Sequence, residues 1–236
     1  MAPVAAVVGA SRGIGLGLAR ALRDAGWKVY ATCRGPCAAL EDLAAPREGP
    51  GSLHVVEGVD VGQRQARARL EAALAAEDKI DLLVFNAGLI PETSSKSVLD
   101  VDLDQCEEMF RVNALGPVLA VQALMDKLHE GAKLFLVTSR SASLADNGSG
   151  KYFEYRASKV AMNMLGVNLA LELKPKGVSV CLVHPGLVIT RKGMEAMPHA
   201  ISVDTSVAGI LARVDEWSLD RTGEFVHAVT GETLPW

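Results

Sequence analysis

Residues 4–17 read VAAVVGASRGIGLG, and this stretch decides the fold. The apolar run VAAVV is typical of a buried strand, and the segment that follows it carries Gly9, Gly13 and Gly15 as a helical pattern begins. Glycines at this junction let the backbone turn tightly and bring helix N-terminal amides close to a phosphate. A tight turn without a ligand is the alternative, but the position after a first strand favours nucleotide binding.

The strand and helix patterns alternate along the rest of the chain. Apolar runs at 4–8, 28–32, 53–57, 81–85, 133–138, 178–183 and 223–228 predict seven strands. Alternation of this kind implies right-handed crossovers and a parallel sheet covered on both faces. We therefore predict an α/β protein in which residues 1–236 form a single Rossmann-fold domain with a doubly wound, seven-stranded parallel sheet.

Composition excludes several classes of protein. The chain is 49% hydrophobic and 22% charged, which is ordinary for a globular protein, and its net charge of -4 argues against a nucleic-acid partner. Its four cysteines show no C-x-x-C spacing and its five histidines are scattered, so we expect free thiols and no metal site. No basic signal-peptide start and no membrane-length apolar run is present, so we expect a cytoplasmic protein with no membrane contact.

The end of the second predicted strand bears on the choice of cofactor. Dinucleotide folds that select NAD(H) carry an acidic residue there, which bonds the ribose 2′-hydroxyl. This sequence instead has Thr32, Cys33 and Arg34, and Arg12 lies inside the glycine loop. Two arginines can hold a 2′-phosphate bidentately, so the sequence favours NADP(H) over NAD(H). The alternative is that both arginines only face solvent.

Residues 150–159, GKYFEYRASK, contain two tyrosines, each four positions before a cation. Helical spacing places Tyr152 beside Arg156 and Tyr155 beside Lys159. A phenol, with a pKa near ~10, needs a nearby positive charge to exchange protons at neutral pH. Lysine can both stabilise a phenolate and hold ribose hydroxyls, so we select Tyr155 with Lys159. We interpret Tyr152 as a pocket wall or as a partly buried aromatic.

Six motifs in order along the chain resemble the short-chain dehydrogenase/reductase family. They are GASRGIG at 9–15, NAG at 86–88, RVNALGP at 111–117, LVTS at 136–139, YRASK at 155–159 and HPGLVIT at 184–190. Within that family, SRSASLADNGSG at 139–150 and the closing GETLPW are similar to the C-factor and Sniffer-type carbonyl reductase branch. The resemblance implies an NADP(H)-dependent oxidoreductase that interconverts a carbonyl compound and an alcohol.

The resemblance also implies a role for each motif. Ser139 would donate a hydrogen bond to the substrate oxygen, Tyr155 would protonate it, and Asn113 would hold a water that links Lys159 to solvent. Taken singly, Ser139 could be a strand-end cap and Asn113 a mid-helix polar residue. The implied cofactor contacts are Gly9, Ser11, Arg12, Gly13, Ile14, Gly15, Arg34, Asp60, Val61, Asn86, Ala87, Gly88, Tyr155, Lys159, Pro185, Gly186, Val188 and Thr190.

Two of the assignments that the resemblance implies, those of Asp60 and Ser139, have alternatives. Asp60 would meet the adenine ring together with Val61, or it could be an ordinary turn residue. His184 is interpreted as a packed strand-end residue. Sixteen positions separate Ser139 from Tyr155, a longer spacing than in many family members, and the loop formers at 147–150 would absorb the excess. If they do not, Ser141 and Ser143 become the alternatives to Ser139.

The segment at about 187–203 is the expected substrate loop. Met194, Met197, Ile201 and Val203 would give it an adaptable apolar face, which suggests a hydrophobic ketone or aldehyde; alternatively these residues pack the loop on the body. The same fold could also serve a signalling protein or redox sensor with little turnover.

We expect a homodimer or homotetramer. The apolar stripe Val160, Met164, Val167 and Leu171 could form a dimer face or simply pack in the core.

Overall fold

The computed structural model describes residues 2–90, 95, 97–190 and 193–236. Seven strands form one parallel sheet in the order β3-β2-β1-β4-β5-β6-β9. Their bounds are β1 Val4–Val8, β2 Lys28–Thr32, β3 Ser52–Val56, β4 Ile80–Phe85, β5 Leu128–Val137, β6 Ser179–His184 and β9 Phe225–His227. The predicted seven-stranded parallel sheet is confirmed.

A second, two-stranded sheet lies in the expected substrate loop and was not predicted. Strand β7 (Leu187–Val188) pairs in parallel with β8 (Ala200–Ile201), and the Ile189 amide donates to the Ile201 carbonyl at 2.9 Å. Two-residue strands are too short to show an alternating pattern, which explains why the sequence gives no sign of them.

Helices cover both faces of the large sheet. Their bounds are α1 Gly13–Asp24, α2 Ala38–Ala44, α3 Ala66–Ala73, α4 Leu103–Met109, α5 Gly116–Leu124, α6 Phe153–Leu173 and α7 Val203–Glu216. Helices α3, α5 and α6 pack on one face, and α1, α2 and α7 pack on the other. Burial on both faces explains why the strands read as nearly continuous apolar runs.

A π-helical turn at Phe110–Leu115 joins α4 to α5. Such turns are rare, and they often occur at functional sites. This one contains Asn113, which the sequence places in an ordinary helix. The wider turn is therefore a local feature that the sequence pattern did not predict.

The carboxyl ends of the parallel strands meet at one edge of the sheet. Strand order reverses between β1 and β4, since β2 lies on one side of β1 and β5 lies beyond β4. In open α/β sheets, ligands bind in the crevice at this switch point.

Among the described residues, no helix combines the length and the apolar character that crossing a membrane would require.

The apolar stripe on α6 is partly exposed. Met164 and Leu171 are 63% and 68% exposed, so core packing does not account for these two members of the stripe. Self-association stays a prediction.

Candidate active site

The glycine loop between β1 and α1 packs directly against the end of β4. Gly9 has φ +86°, and a Cβ added to it would lie 2.6 Å from the Ala87 Cα. The Asn86 side-chain amide donates to the Gly9 carbonyl at 2.8 Å, which fixes the two segments together. Only glycine fits so close an approach with this backbone conformation.

A cleft opens above this loop at the switch point. It is lined by most of the predicted cofactor contacts, namely Gly9, Ser11, Arg12, Gly13, Ile14, Arg34, Asp60, Val61, Asn86, Ala87, Gly88 and Thr190. Gly15 is the exception at this end, because it is buried beneath the loop at the start of α1. The cleft thus brings together residues that are up to about 180 positions apart in the chain.

The donors of this cleft fit a dinucleotide with a 2′-phosphate. Arg12 and Arg34 are exposed and line the cleft together. Asp60 is the only carboxylate among the described lining residues, and its Oδ1 accepts from the Gly62 amide at 3.0 Å, as a turn residue would. A glycine cradle at a helix start, flanked by two arginines, therefore suits NADP(H).

Substitution of Gly15 tests the cradle. A Cβ at this position would fall against the Gly9 carbonyl oxygen and lie 2.6 Å from the Asn86 Nδ2. We expect Gly15→Ala to weaken NADPH binding by at least ~100-fold, because backbone atoms of the loop must shift. Fluorescence titration with NADPH measures this. The control is Gly148→Ala, since a Cβ there meets no described atom within 4 Å; equal binding by both variants would contradict the assignment.

A second cavity adjoins the candidate cofactor cleft and shares Ile14, Asn86, Gly88 and Thr190 with it. Three of the four predicted catalytic residues, Ser139, Tyr155 and Lys159, line this cavity. Its wall also includes the remaining predicted nicotinamide-side contacts, Pro185, Gly186 and Val188.

Helix α6 carries two of these groups on one face. Lys159 is only 4% exposed. Its Nζ donates to the Val137 carbonyl at 3.1 Å and lies 6.0 Å from the centre of the Tyr155 ring. Burial lowers the pKa of Lys159 to about 8. A lysine titrating this near neutrality can hold or release a proton under ordinary conditions, which suits a role beside a proton-transferring phenol.

Ser139 lies just beyond the carboxyl end of β5 and caps a short 3₁₀ turn, Arg140–Ala142, by accepting from the Ser141 amide at 3.1 Å. The strand-end cap weighed from the sequence is therefore present, and the same hydroxyl lines the cavity. Of the alternatives, Ser141 also lines the cavity. Ser143 is 1% exposed, donates to the Trp236 main-chain oxygen at 3.3 Å, and is not among the described residues that line the cavity.

Asn113 lies behind the cavity wall and is fully buried. Its Oδ1 accepts from the Leu89 amide at 2.7 Å, and its Nδ2 donates to the Leu89 carbonyl and to the Ser158 hydroxyl, each at 2.9 Å. The side chain thus ties the chain after β4 to α6, one residue before Lys159. A water link to Lys159 stays a prediction.

The two tyrosines have different settings. Tyr152 is the N-cap residue of α6 with φ +61°, a left-handed conformation that is uncommon outside glycine, and its side chain is 38% exposed on the cavity wall. Arg156 donates to the Ser141 and Lys151 carbonyls at 3.3 and 2.9 Å. The cation four residues after Tyr152 therefore braces a loop, whereas Lys159 lies near the Tyr155 ring.

The family model described as short chain dehydrogenase matches residues 3–200. The chain belongs to the short-chain dehydrogenase family.

Two relatives of this short-chain dehydrogenase have informative names. This chain resembles the 1-hydroxy-2-glutathionyl-2-methyl-3-butene dehydrogenase of Rhodococcus sp. (strain AD45), with 36% identity over 235 residues that cover 98% of both chains. It is 34% identical over 159 residues to the C-signal protein of Myxococcus xanthus, covering 66% of this chain and 93% of that one.

Solved structures place this short-chain dehydrogenase near carbonyl reductases. A carbonyl reductase from Pseudomonas aeruginosa PAO1 in complex with NADP has TM-score 0.85 and 34% identity, and each chain is covered in full. The carbonyl reductase Sniffer of D. melanogaster has TM-score 0.87 and 26% identity over the whole of both chains. The predicted resemblance to the C-factor and Sniffer-type branch is confirmed.

The long spacing between Ser139 and Tyr155 is absorbed by a well-braced loop in this short-chain dehydrogenase. Arg140 donates through Nε to the Asp146 carboxylate at 2.7 Å, and the Ala145 amide donates to the Trp236 main-chain oxygen at 2.9 Å. Residues 147–150 form the loop that the sequence predicted. The extra length therefore leaves both Ser139 and Tyr155 on the same cavity.

Sequence reasoning missed several lining residues of the cavity. His184 lines it, although the sequence suggested only packing; its ring also stacks edge-on against His227 at 5.1 Å. Arg140, Leu89 and Ile90 line it as well. Positions at or shortly after the carboxyl ends of β4, β5 and β6 lie along one edge of the sheet, and this signal could have identified all four.

The substrate loop only partly follows expectation. Met194 lines the cavity, and Met197 is 47% exposed. Val203 instead packs on the body of the protein, 3.2 Å from where a Cβ on Gly17 would lie. The alternative of packing on the body therefore holds for Val203, and Ile201 also packs against the backbone, since a Cβ on Gly186 would lie 2.6 Å from the Ile201 Cδ1. Arg191 and Lys192, within the same segment, lie outside the described residues.

Proposed function

We propose that this short-chain dehydrogenase is an NADP(H)-dependent carbonyl reductase that transfers hydride between the nicotinamide and a carbonyl or alcohol substrate. The supporting observation is the cavity that holds Ser139, Tyr155 and Lys159 beside the arginine-lined cofactor cleft. An acid, an orienting donor and a tuned cation around one cavity are what carbonyl reduction requires. The NADP complex of the Pseudomonas relative is further support.

Each residue has a separate task in this proposal. The bound cofactor supplies the hydride for reduction and takes it back in the reverse direction. Ser139 donates its hydroxyl hydrogen to the substrate oxygen, where negative charge develops. Tyr155 gives its phenolic proton to the same oxygen, and the positive charge of Lys159 stabilises the phenolate that remains. Asn113 fixes the wall by its bonds to Leu89 and Ser158.

The substrate class follows from the cavity wall. Apolar side chains of Ile14, Ile90, Leu187, Val188 and Met194 line it, which favours a hydrophobic ketone or aldehyde. The Rhodococcus relative's name denotes an alcohol that carries a glutathionyl group, so a substrate joining an apolar body to a charged appendage is a second candidate.

Turnover distinguishes this proposal from a sensor. The C-signal relative keeps open an NADP(H)-binding signalling protein with little turnover. The test follows consumption of NADPH and NADH by the purified protein with aldehydes, aromatic ketones, diketones and quinones. Steady consumption with any of them supports an enzyme. Tight NADPH binding with no reduction of any compound would favour the sensor.

Arg34 is the residue on which the cofactor preference depends most. We expect Arg34→Ala to raise the KM for NADPH by about 10- to 100-fold and to leave that for NADH nearly unchanged, since only NADPH carries the 2′-phosphate. Steady-state kinetics with both cofactors measures the ratio. Arg67→Ala is the matched control, because that arginine is exposed and paired with Glu71 on α3. An equal loss for both cofactors would contradict the role.

A further inference from the structure

The catalytic cavity has an uneven charge. Arg140 and Lys159 are the cations on its described wall, and none of the described lining residues is an aspartate or glutamate. Lys159 is buried at the inner end, whereas the Arg140 side chain is 50% exposed. The exposed positive charge of the wall therefore belongs to Arg140.

The terminal nitrogens of Arg140, Nη1 and Nη2, make no hydrogen bond to the residues that the structure describes. The bond to Asp146 uses Nε. A guanidinium offers five donors and binds carboxylates best through two parallel bonds. The side of Arg140 that suits a second carboxylate is thus still available to a ligand.

Asp146 is the acidic partner of Arg140, and His184 is the titratable group of the cavity wall that lies in the field of Arg140. Burial, His227 and the charge of Arg140 together lower the pKa of His184 to about 3. The His184 imidazole is therefore neutral near pH 7 and adds no charge to this wall. Arg156 binds Ser141, Ser149 and Lys151 through uncharged acceptors. Among the described lining residues, only Lys159 carries a charge besides Arg140.

We propose that the substrate carries a carboxylate, which binds the Nη groups of Arg140 while its carbonyl lies at Ser139 and Tyr155. This inference rests on the proposed function and narrows its substrate class to carboxylate-bearing aldehydes, ketones or the corresponding alcohols. The apolar residues of the same wall hold the part of the substrate between the two polar ends. Arg140 is then a specificity-determining residue.

The test compares acids with their neutral esters. The probes are 4-formylbenzoate and 4-formylcinnamate, each compared with its methyl ester. The two acids differ in the distance between the aldehyde and the carboxylate. The quantity measured is the acid-to-ester ratio of kcat/KM for the wild type and for Arg140→Met, which removes the charge and keeps most of the volume. We expect this ratio to fall by about tenfold in Arg140→Met for at least one pair and to fall with added salt in the wild type.

Two further variants separate charge from structure. Asp146→Asn breaks the same ion pair but keeps the guanidinium, so the acid-to-ester ratio should stay or rise. Arg67→Met removes an exposed arginine from an ion pair on α3, so the ratio should stay. An unchanged ratio in Arg140→Met, or an equal fall in Asp146→Asn, would overturn the inference.

Binding keeps this question apart from turnover. Calorimetric titration of the NADP⁺-loaded protein with 4-(hydroxymethyl)benzoate and with its methyl ester needs no reaction. If no aldehyde is reduced, yet the acid binds more tightly in an Arg140-dependent manner, the proposed function fails and the carboxylate site stands. If aldehydes are reduced but neither kinetics nor binding favours the acid through Arg140, the carboxylate site fails alone.

Discussion

Replacing Tyr155 by phenylalanine is expected to lower kcat for NADPH-dependent carbonyl reduction by about a thousandfold, within the 10²–10⁴ range of general acid catalysis. The ring stays, so its contact with the Lys159 ammonium is retained, but the proton for the substrate oxygen is lost. Single-turnover absorbance measurements with saturating NADPH isolate this chemical step.

The matched control is Tyr152→Phe, the same chemical change one turn earlier on the same cavity wall. We expect its effect chiefly on KM, because a wall residue contributes to binding more than to proton transfer. NADPH affinity should survive in both variants. Full activity of Tyr155→Phe would overturn the catalytic assignment and make Tyr152 the next candidate.

Replacing Lys159 by methionine is expected to abolish activity and yet stabilise the fold. A lysine whose pKa falls from 10.5 to about 8 destabilises the folded state at pH 7 by about 3 kcal/mol. Methionine cannot make the hydrogen bond from Nζ to the Val137 carbonyl, and this loss offsets about 1 kcal/mol of the expected gain in stability. A net gain of about 2 kcal/mol raises Tm by about 4–8 °C in a chain of this size.

The pH dependence identifies the cause. The unfolded lysine binds its proton up to about pH 10.4, whereas the folded one loses it near pH 8. Between these values the unfolded state holds more protons, so wild-type stability rises with pH and the advantage of Lys159→Met shrinks. Urea unfolding of the cofactor-free proteins at three pH values measures this.

The control for this prediction is Lys176→Met, an exposed lysine in the turn that follows α6. Its unfolding free energy should change by less than about 0.5 kcal/mol at every pH. The prediction is wrong if Lys159→Met is less stable than wild type at pH 7, or if the difference in unfolding free energy between the two proteins does not change with pH. Either result would show that the buried charge of Lys159 does not destabilise the fold.

The sequence predicted the large sheet well because its signal is local and repeated. Strands buried on both faces must be apolar throughout, and the glycines after β1 have a steric cause that can be read from their spacing. The gathering of Ser139, Tyr155 and Lys159 at one cavity follows from the parallel topology, which brings strand ends together. Motif spacing was sufficient for that much.

What the sequence could not predict depends on contacts between distant segments. The π-helical turn around Asn113 has no local pattern, and the β7–β8 pair is too short for one. That Arg156 braces a loop while Lys159 is buried depends on how α6 lies against β5, which residue types alone do not encode. The place of Arg140 on the cavity wall likewise depends on the fold, and no sequence pattern marks it.

The pairing of β7 with β8 bears on how the specificity of this enzyme can be changed. Val188 and Thr190, two of the proposed cofactor contacts, line the cavity, and the Ile189 amide between them donates to the Ile201 carbonyl. Residues that an engineer would vary to admit a new substrate are therefore hydrogen-bonded through the backbone to residues that we propose as cofactor contacts. Libraries directed at 194–203 should be screened for NADPH affinity as well as for substrate scope, because gains in one are expected to alter the other.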